Sequence, residues 1–103
     1  MAKKRTTDAV ELLHRRYIKG NATREAALRW ERLNADIAVE CYALRVVAGF
    51  TQARLAELIG TTQSVISRLE DADYAGRSLL TLHRIAEACG CQVELKLAQL
   101  PRN

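Results

Sequence analysis

The 103-residue sequence is poor in proline and histidine, and none of its apolar runs is long. Pro101 is the single proline. A transmembrane helix needs about 20 consecutive apolar residues, and the runs here are far shorter. The start, MAKKRTTD, has no apolar stretch behind its basic residues, so it does not resemble a secretory signal. We therefore expect no membrane partner and a cytoplasmic location.

Cysteine is also scarce. Cys41, Cys89 and Cys91 give an odd count without framework spacing, which argues against a disulfide scaffold. No second cysteine pair complements the last two cysteines, and His14 and His83 are not at zinc-finger spacing. The sequence therefore predicts no metal site.

Catalytic groupings are missing as well. The two histidines lie on separate helical segments, and the chain has no glycine-rich phosphate loop. No nucleophile has a plausible base nearby, and no paired acids lie in an apolar run. We therefore predict that the protein is not an enzyme and needs no cofactor.

Positive charge is present in modest excess, with a net charge of +4 and a pI of about 9.3. Residues 1–34 contain nine Lys/Arg and four Asp/Glu, whereas residues 35–103 contain seven and eight. A basic balance suits a nucleic-acid binder without proving one. The basic first third is either an element that binds a partner or the DNA backbone, or a solvated helical extension.

The first half of the chain predicts a tail and two helices. Residues 1–7 are predicted to be a disordered basic tail, and residues 8–18 a helix with apolar residues along one side. Asn21 or Thr23 can cap a long helix that runs to about Ala48. Its predicted inward stripe consists of Trp30, Leu33, Ile37, Cys41, Leu44 and Ala48.

Three shorter helices follow. Thr51 is predicted to cap a helix at 52–58, and Thr61 a helix at 62–70. After a polar loop, a last helix is predicted at 78–89, with a glycine as its stop. Its predicted inward residues are Leu79, Leu82, Ile85, Ala86 and Cys89.

The stretch FTQARLAELIGTTQSVISRLE, residues 50–70, holds the most informative pattern. Ala56 is small where two short helices would cross, and Gly60 occupies the turn, where the chain needs a positive φ. This combination predicts a helix-turn-helix. The residues predicted to lock the two helices together are Leu55, Ile59, Ile66 and Leu69.

The outward face of the second short helix carries hydrogen-bonding side chains where an ordinary surface helix carries Glu and Lys. Glutamine can pair with adenine, arginine with guanine, and serine with either, so we predict that this face reads the DNA major groove. The alternative is that these are ordinary N-terminal helix residues behind a cap. The predicted face consists of Thr62, Gln63, Ser64, Ser67 and Arg68, with Gln52 anchoring on phosphate.

The final stretch, CQVELKLAQL, alternates apolar and polar residues and predicts a β-strand at 91–100. A lone strand cannot satisfy its own backbone hydrogen bonds. We therefore predict that it pairs with the strand of a second copy, with Val93, Leu95 and Leu97 in the dimer contact. The alternatives are a strand laid against its own helices and a poorly ordered tail.

Residues 43–97, with AGFTQARLAELIG, QSVISRLE and TLHRIAEACG, resemble the XRE-type, phage-repressor-like helix-turn-helix family. More narrowly, they resemble HigA-type antitoxins. The resemblance implies a lambda-repressor-like fold and a homodimeric repressor on a palindromic operator. It also implies a contact between Arg45 and Glu70 that ties the long helix to the recognition helix. In the antitoxin branch, the protein also neutralises a small ribonuclease toxin.

These observations divide the chain into four parts. We predict a disordered tail at 1–7, an N-terminal helical extension at 8–36, a helix-turn-helix DNA-binding domain at 37–90 and a dimerisation strand at 91–100. The leading functional hypothesis is an autoregulating antitoxin with double-stranded DNA, a second copy and a ribonuclease toxin as partners. The alternatives are a stand-alone regulator and a protein-interaction module that does not bind DNA.

Overall fold

The computed structural model describes residues 23–101, and every regular element in that range is a helix. The predicted tail at 1–7 and helix at 8–18 lie outside the described residues. Within this range no helix has the length and apolar character needed to span a membrane. The helices are α1 (Arg24–Ala48), α2 (Gln52–Ile59), α3 (Gln63–Leu69) and α4 (Leu79–Ala88).

A hydroxyl side chain begins each helix by accepting a hydrogen bond from a backbone N–H three residues further on. For α3 this residue is Thr62, whose Oγ1 lies 3.3 Å from the N of Val65. The predicted cap, Thr61, is wrong, because its N–H donates to the carbonyl of Ala56 at 2.8 Å and so belongs to the preceding turn. The caps of α1, α2 and α4 are Thr23, Thr51 and Ser78.

Glycine ends both α1 and α2 in the left-handed conformation. Gly49 has φ 80° and Gly60 has φ 74°, a region that costs a residue with a Cβ about 1–2 kcal/mol. The N–H of Gly60 donates to the carbonyl of Glu57 and closes α2 before the chain turns into α3. A Cβ on Gly60 would meet no atom within 4 Å, so backbone conformation, and not space, favours glycine there.

The core lies where α2, α3 and α4 meet α1. Leu55, Ile66 and Leu69 are buried, as their spacing predicts, whereas Ile59 is only partly buried. Ala56 is 3% exposed, which is consistent with a close crossing of α2 and α3. The buried cluster consists of Cys41, Leu55, Ala56, Ile66, Leu69 and Ile85.

The long helix turns smaller and more polar residues inward than the sequence predicts. Trp30 and Leu33 were predicted to face inward but are 38% and 50% exposed, while Asn34 is buried. The amide oxygen of Asn34 accepts a hydrogen bond from Arg77 at 3.3 Å, whereas Cys41, further along the predicted stripe, is buried as predicted. Leu79, also predicted to face inward, is exposed at the start of α4.

The predicted C-terminal β-strand is wrong. Residues 91–101 have no regular secondary structure, and every residue in this segment is exposed. The N–H of Cys91 donates to the carbonyl of Ala86, but from Gln92 to Pro101 the backbone makes no hydrogen bond to another described residue. A strand exists only where a second strand pairs with it, and the described chain supplies none.

Candidate nucleic-acid interface

The helix-turn-helix formed by α2 and α3 buries one side of α3 and exposes the other. Ile66 and Leu69 are 1% and 3% exposed and pack into the core. Because α3 has only seven residues, these two contacts determine which side chains face outward. The exposed side consists of Gln63, Ser64, Ser67 and Arg68, all of which the sequence predicts to face outward.

Gln52, the first residue of α2, adjoins this face. Its side chain lines a shallow polar depression together with Gln63, Ser64 and Ser67. These amides and hydroxyls include both hydrogen-bond donors and acceptors. The depression can therefore meet the mixed donors and acceptors of base edges as well as phosphate oxygens.

A chain of side-chain hydrogen bonds connects α1 to the start of α3. Arg45 donates to Glu70 through Nε at 2.6 Å and through Nη2 at 3.0 Å. Gln52 Nε2 donates to the same carboxylate at 3.2 Å. Gln63 Nε2 approaches Gln52 Oε1 at 3.5 Å. The structure therefore joins the Arg45–Glu70 pair to two residues of the predicted DNA-facing set.

The Arg45–Glu70 pair is well shielded from water. The two side chains are 13% and 7% exposed, so salt screens this pair less than a surface pair. The hydrogen bonding that Arg45 donates to the Glu70 carboxylate raises the pKa of Arg45 and outweighs burial, which acts in the opposite direction. Arg45 Nη1 also donates to the carbonyl of Phe50 at 2.9 Å, just before α2 begins. One charged guanidinium thus connects α1, the loop before α2 and the end of α3.

Thr62 and Arg68 differ in their freedom to contact a ligand. The hydroxyl of Thr62 is engaged in capping α3, although the residue is exposed. Arg68 is exposed and forms no ion pair with any residue in the described part of the chain. Its guanidinium can therefore be directed at an external group, whereas Thr62 mainly sets where the helix begins.

Arg77 lies in what reads as a polar loop, and its sequence context does not predict that it contacts the end of α3. It donates to backbone carbonyls at the end of α3, including that of Leu69 at 3.0 Å and 2.9 Å. The shortness of α3 indicates that some residue outside it must donate hydrogen bonds there, because the last carbonyls of a helix have no donor within the helix. Nothing in the residue spacing identifies which side chain supplies them.

The fold is that of a helix-turn-helix protein, and comparison with family models agrees. The model described as "Helix-turn-helix domain" matches residues 22–99, which is most of the chain. No curated protein and no solved structure matches the chain significantly. The chain therefore belongs to the helix-turn-helix domain family of DNA-binding proteins, a family that is typically not enzymatic.

Proposed function

We propose that the protein is a sequence-specific transcriptional repressor that binds its operator with α3 in the major groove. The observation that carries this proposal is the exposed side of α3, where Gln63, Ser64, Ser67 and Arg68 stand on a base of buried apolar residues. The major groove of B-DNA is about 12 Å wide and admits one α-helix. A protein held there blocks access to the DNA it covers.

The two longest side chains on this face supply the strongest base contacts. Gln63 can make paired hydrogen bonds to adenine, and Arg68 can do the same to guanine. Each such pair is worth about 1–3 kcal/mol of discrimination between bases. Ser64 and Ser67 are shorter and can donate or accept, so they accommodate either kind of base edge.

In this proposal Gln52 binds a phosphate of the DNA backbone. Its amide nitrogen carries two hydrogens, and one of them is used by Glu70 at 3.2 Å. The second remains available for a phosphate oxygen beside the groove. Gln52 Oε1 lies 3.5 Å from Gln63 Nε2. The contact of Gln52 with the DNA backbone therefore influences where Gln63 lies relative to the bases.

The experiment is selection of binding sites from a random duplex pool by the full-length protein. We expect a short enriched motif and a dissociation constant at least about 1,000-fold lower than for random DNA at the same salt concentration. Two inverted half-sites are expected at a spacing of about 34 Å. Binding without sequence preference, or no binding, would contradict the proposal.

A second copy of the chain is the partner we propose for the C-terminal surface. Leu79 and Leu80 are 61% and 56% exposed and line one depression with Val93 and Leu95. Leu97, nearby in sequence, is more exposed still. Covering apolar surface gains about 25 cal/mol per Å². A two-fold axis brings identical patches together and presents two copies of α3 to a palindromic operator.

Sedimentation velocity tests this dimer with the variant Leu79→Asp/Leu95→Asp. We expect it to be monomeric at concentrations where the wild type is dimeric, since two buried carboxylates would oppose association. The matched control is Val47→Asp, an equally drastic change at an exposed valine on α1. A monomeric wild type, or a double variant that remains dimeric, would refute the dimer.

We further propose that the protein is an antitoxin that neutralises a small basic ribonuclease. The support is the motif similarity together with a groove between α1, α4 and the C-terminal segment. Its lining includes apolar Leu44 and Leu82 and the carboxylates of Asp36, Glu40 and Glu94. These acids form no ion pair with residues 23–101, so their charge is complementary to a basic partner. No residue of α2 or α3 lines the groove, which leaves the DNA-facing side uncovered.

Co-expression with the product of the adjacent gene tests the antitoxin proposal. We expect a small basic ribonuclease that forms a complex with this protein and loses RNA cleavage when bound. Asp36→Asn/Glu40→Gln/Glu94→Gln should weaken the complex at least about tenfold. Glu25→Gln/Glu31→Gln, on exposed positions of α1, is the matched control. The absence of such a neighbour would favour a stand-alone regulator.

A further inference from the structure

Arg77 donates hydrogen bonds to carbonyl groups at the end of α3 and in the loop that follows it. Its Nε and Nη2 donate to the carbonyl of Leu69, the last helical residue, at 3.0 Å and 2.9 Å. Nη2 also donates to the carbonyl of Asp71 at 2.7 Å, and Nη1 donates to that of Tyr74. The helix end and its loop are thus organised by one side chain from further along the chain.

The same guanidinium reaches α1. Nη1 donates to Oδ1 of Asn34 at 3.3 Å, and Asn34 in turn donates to the carbonyl of Trp30 at 3.1 Å. Asn34 is the buried polar residue of the described chain. With this contact Arg77 makes five hydrogen bonds, which equals the number of N–H donors a guanidinium possesses. No donor is left over for a phosphate.

The two ends of α3 are therefore held very differently. At its C-terminal end, Arg77 holds the carbonyls from one side, and Arg45 holds Glu70, the next residue, in a two-point contact. At its N-terminal end, the side-chain hydrogen bonds among the described residues are the Thr62 cap and the 3.5 Å approach of Gln63 to Gln52. A seven-residue helix is only about 10 Å long, so a change at the held end displaces every base-facing side chain.

We propose that Arg77 is a positioning residue for DNA recognition. It sets the direction of α3 relative to α1, and through it the register of Gln63 and Arg68 with the bases, without touching DNA. The proposal rests on DNA reading by α3. Lysine cannot replace it, because an ammonium is a point charge with three donors and cannot span carbonyls on both sides of a planar fork.

The consequence is a selective loss of discrimination. Base contacts require correct register, whereas binding to random DNA depends on charge and is tolerant of small displacements. Arg77→Lys retains the charge. We therefore expect the affinity for the selected site to fall at least about tenfold, the loss of roughly one good base contact, while affinity for random DNA changes less than about threefold.

The DNA test uses full-length protein, the wild-type selected duplex and a scrambled duplex at one salt concentration. The control is Arg84→Lys, the same change at an exposed arginine of α4; it should leave the ratio of the two affinities unchanged. Circular dichroism must show both proteins folded at the assay temperature. If Arg77→Lys does not fold, Asn34→Ala removes one of the five hydrogen bonds and should lower the ratio in the same direction. An unchanged ratio in the folded variant overturns the proposal.

A second measurement does not depend on DNA. Residual dipolar couplings of the backbone N–H groups in α1 and α3 report the angle between the two helices. We expect this angle to change in Arg77→Lys and to remain unchanged in Arg84→Lys. Identical couplings in Arg77→Lys and wild type would overturn the positioning role. A changed angle in a protein that selects no DNA motif would instead count against the proposed repressor function alone.

Discussion

The α2–α3 unit and residues 91–101 carry equally regular residue patterns, yet only the first forms regular structure. In α2 and α3 the backbone groups pair within the helix, and Thr51 and Thr62 satisfy N–H groups at the starts. In the C-terminal segment the alternation of side chains is present, but no strand formed by residues 23–101 lies alongside it. A helical period is enough when hydrogen bonding is local, whereas an alternating period also needs a partner.

The largest difference between the two regions is expected in DNA binding. Gln63→Ala/Arg68→Ala should weaken operator binding by about 2–6 kcal/mol, at about 1–3 per base contact, without unfolding the protein. Gln92→Ala/Lys96→Ala removes the same two kinds of side chain from the C-terminal segment. It should weaken operator binding by less than about 0.5 kcal/mol. Fluorescence anisotropy on the selected duplex measures both. Equal losses in the two regions would remove the distinction.

The free energy of unfolding should show the same contrast between the two regions, with a slightly smaller difference. Ile66→Ala empties a fully buried site and is expected to cost about 2–5 kcal/mol of unfolding free energy. Leu97→Ala, at a residue that is 89% exposed, should change it by no more than about 0.5 kcal/mol. Urea unfolding of the two variants provides the measurement. A large cost at Leu97 would mean that the C-terminal segment is packed in solution.

A third comparison concerns the carboxylate of Glu70, which connects the end of α3 to Arg45 of α1. Glu70→Gln keeps the size of the side chain but removes the charge that Arg45 contacts at two points, and should cost about 1–3 kcal/mol. Glu94→Gln, in the exposed segment, is the matched change and should be close to neutral. Thermal unfolding at one pH and salt concentration compares them. A neutral Glu70→Gln would show that the α1–α3 connection does not stabilise the fold.

The smallest expected effect concerns two glycines in turns. It separates the cost of a turn's conformation to stability from the contribution of that turn to DNA binding. Gly60 and Gly90 both have φ 74°, and a Cβ would meet no atom within 4 Å at either residue. Gly60→Ala and Gly90→Ala should therefore cost a similar amount, about 1–2 kcal/mol of unfolding free energy. Only Gly60→Ala is expected also to weaken operator binding, because Gly60 joins α2 to α3. If both variants bind DNA equally well, the turn tolerates strain without displacing α3.

Much of the helix-turn-helix follows from residues that are close in sequence. The spacing of Leu55, Ile66 and Leu69 predicts the buried side of the unit, and Gly60 predicts the turn. The outward position of Gln63 then follows, because a short helix with two buried residues has one remaining side. These predictions succeed because the backbone hydrogen bonds of a helix join residues four positions apart, so the buried side of each helix follows from the spacing of its apolar residues.

The errors on α1 come from contacts between residues far apart in sequence, whereas the error in the cap of α3 is local. Trp30 and Leu33 have the apolar character of core residues, but Asn34 is buried in their place because Arg77, 43 positions later, reaches it. The shift from Thr61 to Thr62 as the cap of α3 arises in the turn, where the Thr61 N–H already serves Ala56. No period in the sequence contains this information.

The order of residues was sufficient to predict a helix-turn-helix with an amide, hydroxyl and guanidinium surface, because each helix satisfies its own backbone and the apolar spacing selects the buried side. Three-dimensional packing was needed to show that Arg77 holds the end of α3, that Glu70 links Arg45 to Gln52, and that residues 91–101 form no strand. The physical reason is that these outcomes depend on which distant donor or acceptor is within about 3 Å, and sequence spacing does not specify such distances.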